Sequence, residues 1–133
     1  MFCVIDRDTH ESFDEAIELA KTVSKITVIS SYPCFEFWYL LHFGYNRKPY
    51  AAAGNKSAGD QVVSALHACE GMNKYVKGGG KSVFDMLFPR LDVARQVSPN
   101  VLDQALKEGS LNPSTRVHEL IDYFEQLGQP QPK

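Results

Sequence analysis

Two apolar segments with an amphipathic segment between them constrain the fold of this chain more than any other feature. Residues 2–5 and 26–29 each have the length and composition of a buried strand, and the residues between them place apolar side chains at helical spacing. A strand, a helix and a strand within about 30 residues form a βαβ unit, which implies parallel strands and a right-handed crossover. We therefore predict an α/β fold with a small parallel sheet.

The helix of this unit has a predicted start at Ser12. The segment Ser12-Phe13-Asp14-Glu15 matches a capping box, in which the Ser12 side chain and the Glu15 side chain each bind the other residue's backbone N–H. The crossover then returns the chain to the edge at which the first strand ended, which predicts that Ser30 and Ser31 lie at the same edge as residues 6–8.

Two aspartates follow the first apolar segment, in the order Asp6-Arg7-Asp8. Side chains alternate along a strand, so we expect Asp6 and Asp8 on the same face with their Cβ atoms about 6 to 7 Å apart. Two like charges at that separation favour a cation between them, and Mg²⁺ prefers carboxylate oxygens. Ligands of open α/β sheets bind at the carboxyl ends of strands, where this pair stands. The alternative is that both aspartates cap a turn or the next helix.

Residues 33–44 are apolar almost throughout, which predicts a helix buried on most of its sides. Glu36 is the one charged residue in this segment, and burying a carboxylate is costly unless it is paired, solvated or bound to a cation. Since the helix begins near the carboxyl edge of the sheet, Glu36 either faces the aspartates or has a structural role at the helix start. His42 is predicted to be a hydrogen-bonded histidine of the core.

Basic side chains are concentrated in two polar segments. Arg47 and Lys48 belong to a predicted loop over residues 45–60, and Lys74, Lys77 and Lys81 flank three consecutive glycines. The end of the second segment imitates a phosphate-binding loop, but Tyr75 stands where that motif requires glycine, so we exclude an ATP site. We predict instead a mobile basic loop, and we expect the five cationic side chains to contact the phosphates of a nucleic acid.

The second half of the chain is predicted to be largely α-helical. Helices are expected over residues 59–71, from Ser82 to Pro89, from Leu91 to Pro99 and over residues 100–108. The last helix is predicted to begin with Asn112 as N-cap and Pro113 at its first position, and to stop at Gly128. We expect one domain over residues 1–133, with a βαβ core and buried helix over 1–44, a helical part over 56–128 and a frayed tail over 129–133.

Composition excludes several classes of protein. A net charge of −2 argues against a strongly basic surface, although it leaves room for a local basic patch. Cys3, Cys34 and Cys69 are few, odd in number and widely spaced, which predicts reduced thiols in a cytoplasmic protein. No apolar run approaches 18 residues and no signal peptide is recognisable at the start, so a membrane location is not expected.

The same segments resemble one known family. The strand that ends Asp6-Arg7-Asp8, the segment 31–43 with its Pro-Cys-Phe-Glu-Phe-Trp sequence, and the segment that begins Asn112-Pro113 are together similar to the RloB-like proteins, which are encoded beside restriction or abortive-infection genes. The resemblance implies a Toprim-like core in which Asp6 and Asp8 hold Mg²⁺ or Mn²⁺. It further implies phosphodiester chemistry supported by that metal, with Asp6, Asp8 and Glu36 as the catalytic residues.

The chain departs from that pattern in one respect. A Toprim core begins with an earlier strand and helix that carry an essential glutamate, whereas the first strand of this sequence is the Asp-x-Asp strand. Either the amino-terminal part lies outside this sequence, or Glu36 or Glu11 substitutes for that glutamate. A sheet of two strands also shields its edges poorly, so the further strands could come from another copy of the chain.

Three functions are consistent with these features. The first is a metal-dependent nuclease or nucleic-acid-processing module of phage defence. The second is a truncated, non-catalytic binding or assembly subunit that docks on another defence protein. The third is a phosphatase of the haloacid-dehalogenase type, which also has Asp-x-Asp at a strand end. It ranks last, because a later acidic pair is not found in the sequence.

Overall fold

The computed structural model describes residues 1–78 and 83–130, which form a three-stranded sheet with helices packed around it. The strands are β1 (Phe2–Asp6), β2 (Thr27–Tyr32) and β3 (Ser114–Thr115). The α-helices are α1 (Phe13–Lys21), α2 (Glu36–Leu40), α3 (Ala58–His67), α4 (Val83–Leu87), α5 (Leu91–Glu108) and α6 (Val117–Leu127), and single 3₁₀ turns follow α2 at Leu41–Phe43 and α4 at Phe88–Arg90. The predicted α/β class with a helical second half is confirmed.

The predicted βαβ unit is present. β1 and β2 are parallel and are paired from Phe2 with Thr27 to Asp6 with Ser31. This register places Asp6 and Ser31 side by side at the carboxyl edge, as expected from the crossover. The predicted capping box at Ser12 is wrong, because Ser12 has φ −85° and ψ 8° instead of an extended conformation and its side chain makes no cap hydrogen bond.

The sheet is mixed, because β3 adds to β2 in the antiparallel direction. β3 occupies part of the segment predicted to begin the last helix, so α6 begins at Val117 and Asn112 is not its N-cap. The side chain of Asn112 instead donates to the carbonyl of Tyr50 at 2.6 Å and accepts from the backbone N–H of Tyr50 at 3.3 Å. Asn112 has the sequence context of an N-cap, but its side chain connects two loops that lie far apart in the sequence.

β1 lies at the edge of the sheet, since the strand order is β1-β2-β3. The carbonyl of Met1 accepts from Thr27, and the N–H of Arg7 donates to Ser31. Because the residues that bind the neighbouring strand alternate in a parallel pair, the backbone groups of Phe2, Val4 and Asp6 point away from β2. The side chain of Val4, at the middle of β1, is 48% exposed.

α5 runs through Pro99 without a break, so the prediction of two helices that meet at this proline is wrong. A proline inside a helix removes the hydrogen bond to the carbonyl four residues earlier and usually ends or bends the helix. α5 is maintained by its buried face, which packs against the core over several turns. That face consists of Ala94, Ser98, Val101, Leu102 and Ala105.

The core lies between the sheet and the helices, with α2 near its centre. The helix predicted over residues 33–44 is observed as α2 with its following 3₁₀ turn, and four of the five residues of α2 are buried. Its buried neighbours include Ile29, Leu41, Val62, Leu66 and Val101. His42 is a core residue as predicted, since it is buried and its Nδ1 donates to the Trp38 carbonyl at 2.9 Å. In the described part of the chain, no helix has the length and apolar character needed to cross a membrane.

Candidate functional site

The carboxyl edge of β1 leads into a tight turn that separates the two aspartates. β1 ends at Asp6, and Asp8 lies in the turn with φ +31° and donates its N–H to the Pro33 carbonyl at 2.6 Å. Side chains alternate between the two faces only along a strand. Because Asp8 lies beyond the end of β1, strand alternation does not place its side chain on the same face as that of Asp6. Each aspartate has a different set of neighbours.

Asp6 faces the start of α2. Its Oδ2 accepts a hydrogen bond of 3.2 Å from the N–H of Phe35, and its Oδ1 lies 3.9 Å from Nε2 of His10. An open cavity of about 410 Å³ borders Asp6 and is lined also by Val4, Ile5, His10 and Phe35. Asp6 thus accepts a structural hydrogen bond at one oxygen and also borders an open cavity.

Asp8 faces the first turn of α3. Its Oδ1 lies 3.4 Å from the position that a Cβ atom on Gly59 would take, and Nζ of Lys77 lies 3.6 Å from the same position. The two charged atoms are therefore within about 7 Å of each other, on the same side of Gly59. A Cβ atom at Gly59 would be in ordinary van der Waals contact with both groups.

Glu36 is the buried acidic residue of the same region, with 7% of its surface exposed. Its Oε1 accepts a hydrogen bond of 3.2 Å from the hydroxyl of Tyr75. Burial, followed by the negative charge of Glu36, raises the pKa of Tyr75, so the hydroxyl keeps its proton and remains a donor. Burial and the same carboxylate raise the pKa of the Cys34 thiol to about 12, which makes Cys34 a buried thiol and a poor nucleophile.

Lys77 brings a positive charge to these carboxylates. Burial alone would lower the pKa of its ammonium, but attraction to Glu36, with smaller contributions from Cys34, Asp8 and Asp60, raises that pKa above its ordinary value. Asp60 reaches this region through the start of α3, where Ser57 and Asp60 form a full capping box. The Lys77 ammonium thus lies near Asp8 and within electrostatic range of Glu36 and Asp60, close to the carboxyl edge of the parallel strands.

Sequence reasoning found part of this arrangement. It selected Asp8, Glu36 and Lys77, although it assigned Lys77 to a separate basic loop. It missed Asp60 and Tyr75. The capping-box sequence at Ser57–Asp60 could have placed Asp60 at a helix start, but no local signal indicates that Tyr75 reaches Glu36, 39 residues away.

The other predicted residues lie apart from this group or in different contacts. Arg47 donates to Glu108 at 2.6 Å and to the carbonyls of Pro113 and Ser110, so its guanidinium joins two parts of the fold. Lys48, Lys74 and Glu11 are exposed, and Lys81 lies outside the described residues. Ser31 is buried and its hydroxyl is hydrogen-bonded to that of Thr115 at 2.7 Å, which makes it part of the sheet.

Asp6, Asp8, Glu36 and Asp60 carry carboxylates, which are the groups that hard divalent cations prefer. Among the described residues, however, no three His, Cys, Asp or Glu side chains are arranged as a formed metal site. The ammonium of Lys77 lies near Asp8 and within electrostatic range of Glu36. Metal binding at this edge would therefore require these side chains to move closer together.

The fold and the acidic edge define an α/β protein with a charged group at the carboxyl ends of two parallel strands. The family model described as RloB-like protein matches residues 1–124, and the chain belongs to the RloB-like family. No curated protein and no solved structure matches the chain.

Proposed function

We propose that this RloB-like protein contains a Toprim-like, Mg²⁺- or Mn²⁺-binding module that cleaves or processes nucleic acid in cytoplasmic phage defence. The observation that supports it best is the placement of Asp8, Glu36 and Lys77 at the carboxyl edge of β1 and β2. The two carboxylates would hold the metal together with that of Asp6, and the ammonium would bind a phosphate oxygen. When bound, the metal would polarise the phosphate group and lower the pKa of a water molecule.

The experiment combines metal binding with nuclease activity. Melting temperature is measured with and without Mg²⁺ or Mn²⁺ for the native chain and for Asp6→Asn, Asp8→Asn and Glu36→Gln, with Asp103→Asn on the exposed surface of α5 as control. A cation at one hundred times its Kd stabilises a protein by about 2.7 kcal/mol, which corresponds to roughly 10 °C for a domain of this length. We expect this shift in the native chain and the control, and a reduced or absent shift in the site variants.

Cleavage is measured on end-labelled single- and double-stranded DNA and RNA, with chelator as a blank. We expect metal-dependent cleavage that Asp8→Asn abolishes while the variant remains folded. A native chain that shows neither a metal-dependent shift nor cleavage would contradict the proposal. Unfolding of Asp6→Asn and Asp8→Asn would show instead that the two aspartates are structural.

A second candidate function, a non-catalytic assembly subunit, is favoured by the free edge of β1. The outward backbone groups of Phe2, Val4 and Asp6 and the exposed side chain of Val4 form an edge to which another strand could add. Val4→Pro removes one outward N–H and leaves the pairing with β2 in place. Light scattering of the native chain and of Val4→Pro tests this function, which predicts an oligomer for the former and a monomer for the latter.

A further inference from the structure

An open cavity of about 400 Å³ lies between one side of α3 and the loop that precedes this helix. The loop contributes residues 48–51 to the wall, and α3 contributes Gln61, Ser64 and Ala65, which share one face of the helix. At 3.6 residues per turn, that face is opposite to Gly59, which borders Asp8. The cavity is therefore separate from the acidic residues at the carboxyl edge of the sheet.

Hydrogen bonds fix the shape of the loop that carries Lys48. The backbone N–H of Lys48 donates to Oδ1 of Asn46 at 3.0 Å, and the amide of Asn46 donates to the hydroxyl of Tyr50 at 3.0 Å. Tyr50 is buried, and its backbone is bound by the side chain of Asn112. The loop wall of the cavity is therefore preformed, which lowers the entropic cost of binding a ligand there.

Lys56 brings a second ammonium group to the cavity. Its backbone closes a turn with Ala53 through two hydrogen bonds of 2.9 and 3.1 Å. Its Nζ donates to Oγ of Ser64 at 2.9 Å, and the Ser64 hydroxyl donates in turn to the carbonyl of Asp60 at 3.0 Å. Ser64 thus positions the ammonium at the cavity through a neutral oxygen, which does not neutralise its charge.

The two lysines make no direct ion pair within the described part of the chain. None of the ion pairs found there includes Lys48 or Lys56, and the carboxylate of Asp60 accepts a hydrogen bond from the backbone N–H of Ser57. Two such cations beside one cavity attract an anion, and the amide of Gln61 adds hydrogen-bond donors at the wall. This combination suits a phosphate group.

We propose that this cavity binds the phosphate backbone of a single-stranded nucleic acid, with Lys48 and Lys56 as the cations that contact the phosphates. The inference rests on the proposed function for the class of ligand, but it requires no metal. The Gln61 amide donates to a phosphate oxygen, and the apolar side chains of Pro49 and Ala51 contact a sugar or a base. Cavities of roughly 300–1,000 Å³ hold one small ligand, so a flexible strand can insert a nucleotide, whereas a rigid duplex reaches only the rim.

The test is the fluorescence anisotropy of a short labelled single-stranded oligonucleotide titrated with the full chain, with a chelator present. Lys48→Gln, Lys56→Gln and their double variant are compared with Lys25→Gln, which removes an exposed lysine between α1 and β2. Each cavity variant should bind about fivefold more weakly. The slope of log affinity against log salt concentration should become shallower by about 0.7 for each lysine removed. Lys25→Gln should keep the native affinity and slope.

Three further variants test the cavity wall. Gln61→Glu places a negative charge of nearly the same shape there and should weaken binding at least as much as the loss of one lysine. Gln96→Glu makes the same change on the exposed surface of α5 and should leave binding near the native value. Ser64→Ala keeps both lysines but releases the Lys56 ammonium, so it should weaken binding less than Lys56→Gln and leave the salt dependence unchanged.

Native affinity and native salt dependence in the double lysine variant would overturn the inference, as would a native chain that binds no oligonucleotide. Equal losses in Gln61→Glu and Gln96→Glu would also overturn it, because they would reflect net charge instead of the cavity. A nucleoside monophosphate and a duplex are used as competitors, and each should displace the labelled strand less well than the unlabelled strand does. Competition by either one as strong as that by the strand would overturn the assignment to a single strand.

The failure of this inference can be distinguished from that of the proposed function. Binding that depends on both lysines, in a chain without metal-dependent stabilisation or cleavage, would contradict the metal-dependent function and leave the cavity assignment intact. Metal-dependent cleavage with native binding in the double lysine variant would do the reverse. Circular dichroism verifies that each variant is folded, and Lys48→Gln with Gln61→Glu provides the comparison if Lys56→Gln is not.

Discussion

The hydroxyl of Tyr75 donates a hydrogen bond of 3.2 Å to Oε1 of Glu36, and so joins the loop after α3 to the first residue of α2. The acceptor is a buried carboxylate and the donor is a neutral group with a raised pKa. This contact holds the Lys77 segment against the site. Removing the Tyr75 hydroxyl therefore tests whether the stability of the fold around buried Glu36 requires this hydrogen bond.

Tyr75→Phe should lower the free energy of unfolding by about 1–3 kcal/mol, because the buried carboxylate of Glu36 loses a hydrogen-bond donor while the ring remains. Urea unfolding at pH 7 measures the change. Tyr45→Phe is the matched control, since Tyr45 is 54% exposed and its variant should differ little from the native chain. When Tyr75→Phe is made in a chain that already carries Glu36→Leu, which has no hydrogen-bond acceptor, most of the loss should disappear. An equal loss with and without Glu36→Leu would show that the hydroxyl does not act through the carboxylate.

Stability should fall as the pH is lowered below about 6.5, owing to His42 and His118. Burial lowers the pKa of both imidazoles in the folded chain, so the unfolded chain takes up protons first as the pH falls. Their contribution is fully present above the unfolded pKa of about 6.5 and is lost as the pH falls from there towards the lower folded pKa. Urea unfolding between pH 7.5 and 5 measures the slope. His42→Gln should reduce this slope, and an unchanged slope in both His42→Gln and His118→Gln would contradict the assignment.

Asn112→Ala should lower the free energy of unfolding by about 2 kcal/mol, because both hydrogen bonds to the backbone of Tyr50 are lost. Asn112→Asp should also destabilise the chain, since a carboxylate would then face the Tyr50 carbonyl. Asn100→Ala removes an exposed asparagine of α5 and serves as the control, with an expected change within about 0.5 kcal/mol. A helix-capping role for Asn112 would predict instead that Asn112→Asp leaves stability nearly unchanged while Asn112→Ala lowers it, because Asp is a good N-cap.

Arg47→Lys should destabilise the chain by about 1–2 kcal/mol, although it keeps the charge, because an ammonium cannot reproduce the hydrogen bonds of the guanidinium to Glu108, Ser110 and Pro113. Lys48→Gln, at the next and exposed position, should leave thermal stability near the native value. The two variants separate structure from binding, since a phosphate contact by Lys48 would appear as weaker oligonucleotide binding at unchanged stability. If Arg47→Lys has the stability of the native chain, the hydrogen bonds of the Arg47 guanidinium contribute little to the free energy of unfolding.

Local sequence patterns were sufficient for the features that depend on neighbouring residues. The apolar segments predicted the βαβ unit, and the continuous apolar run around Trp38 predicted a buried helix. Both depend on which side chains are removed from water, and the apolar pattern of a short segment is enough to predict this. His42 could be placed in the core for the same reason.

Features that depend on distant residues could not be predicted. The sequence Asn112-Pro113 is typical of a helix start, but the side chain of Asn112 is hydrogen-bonded to the backbone of Tyr50 and the next element is β3. A proline such as Pro99 usually ends a helix, but the buried face of α5 continues past it. The hydrogen bond of Tyr75 to Glu36 and the approach of Lys77 to Asp8 depend on how the loop after α3 folds back, which no local signal encodes.

The open edge of β1 has a consequence for the way this protein would respond to concentration. The strand whose backbone groups at Phe2, Val4 and Asp6 point away from β2 also carries Asp6 at its end and leads directly to Asp8. A strand that added to this edge would lengthen the ordered backbone around both carboxylates and restrict the turn that separates them. Under the proposed metal-binding function, self-association and cation affinity would then change together, and a dilution series would shift the metal-binding curve.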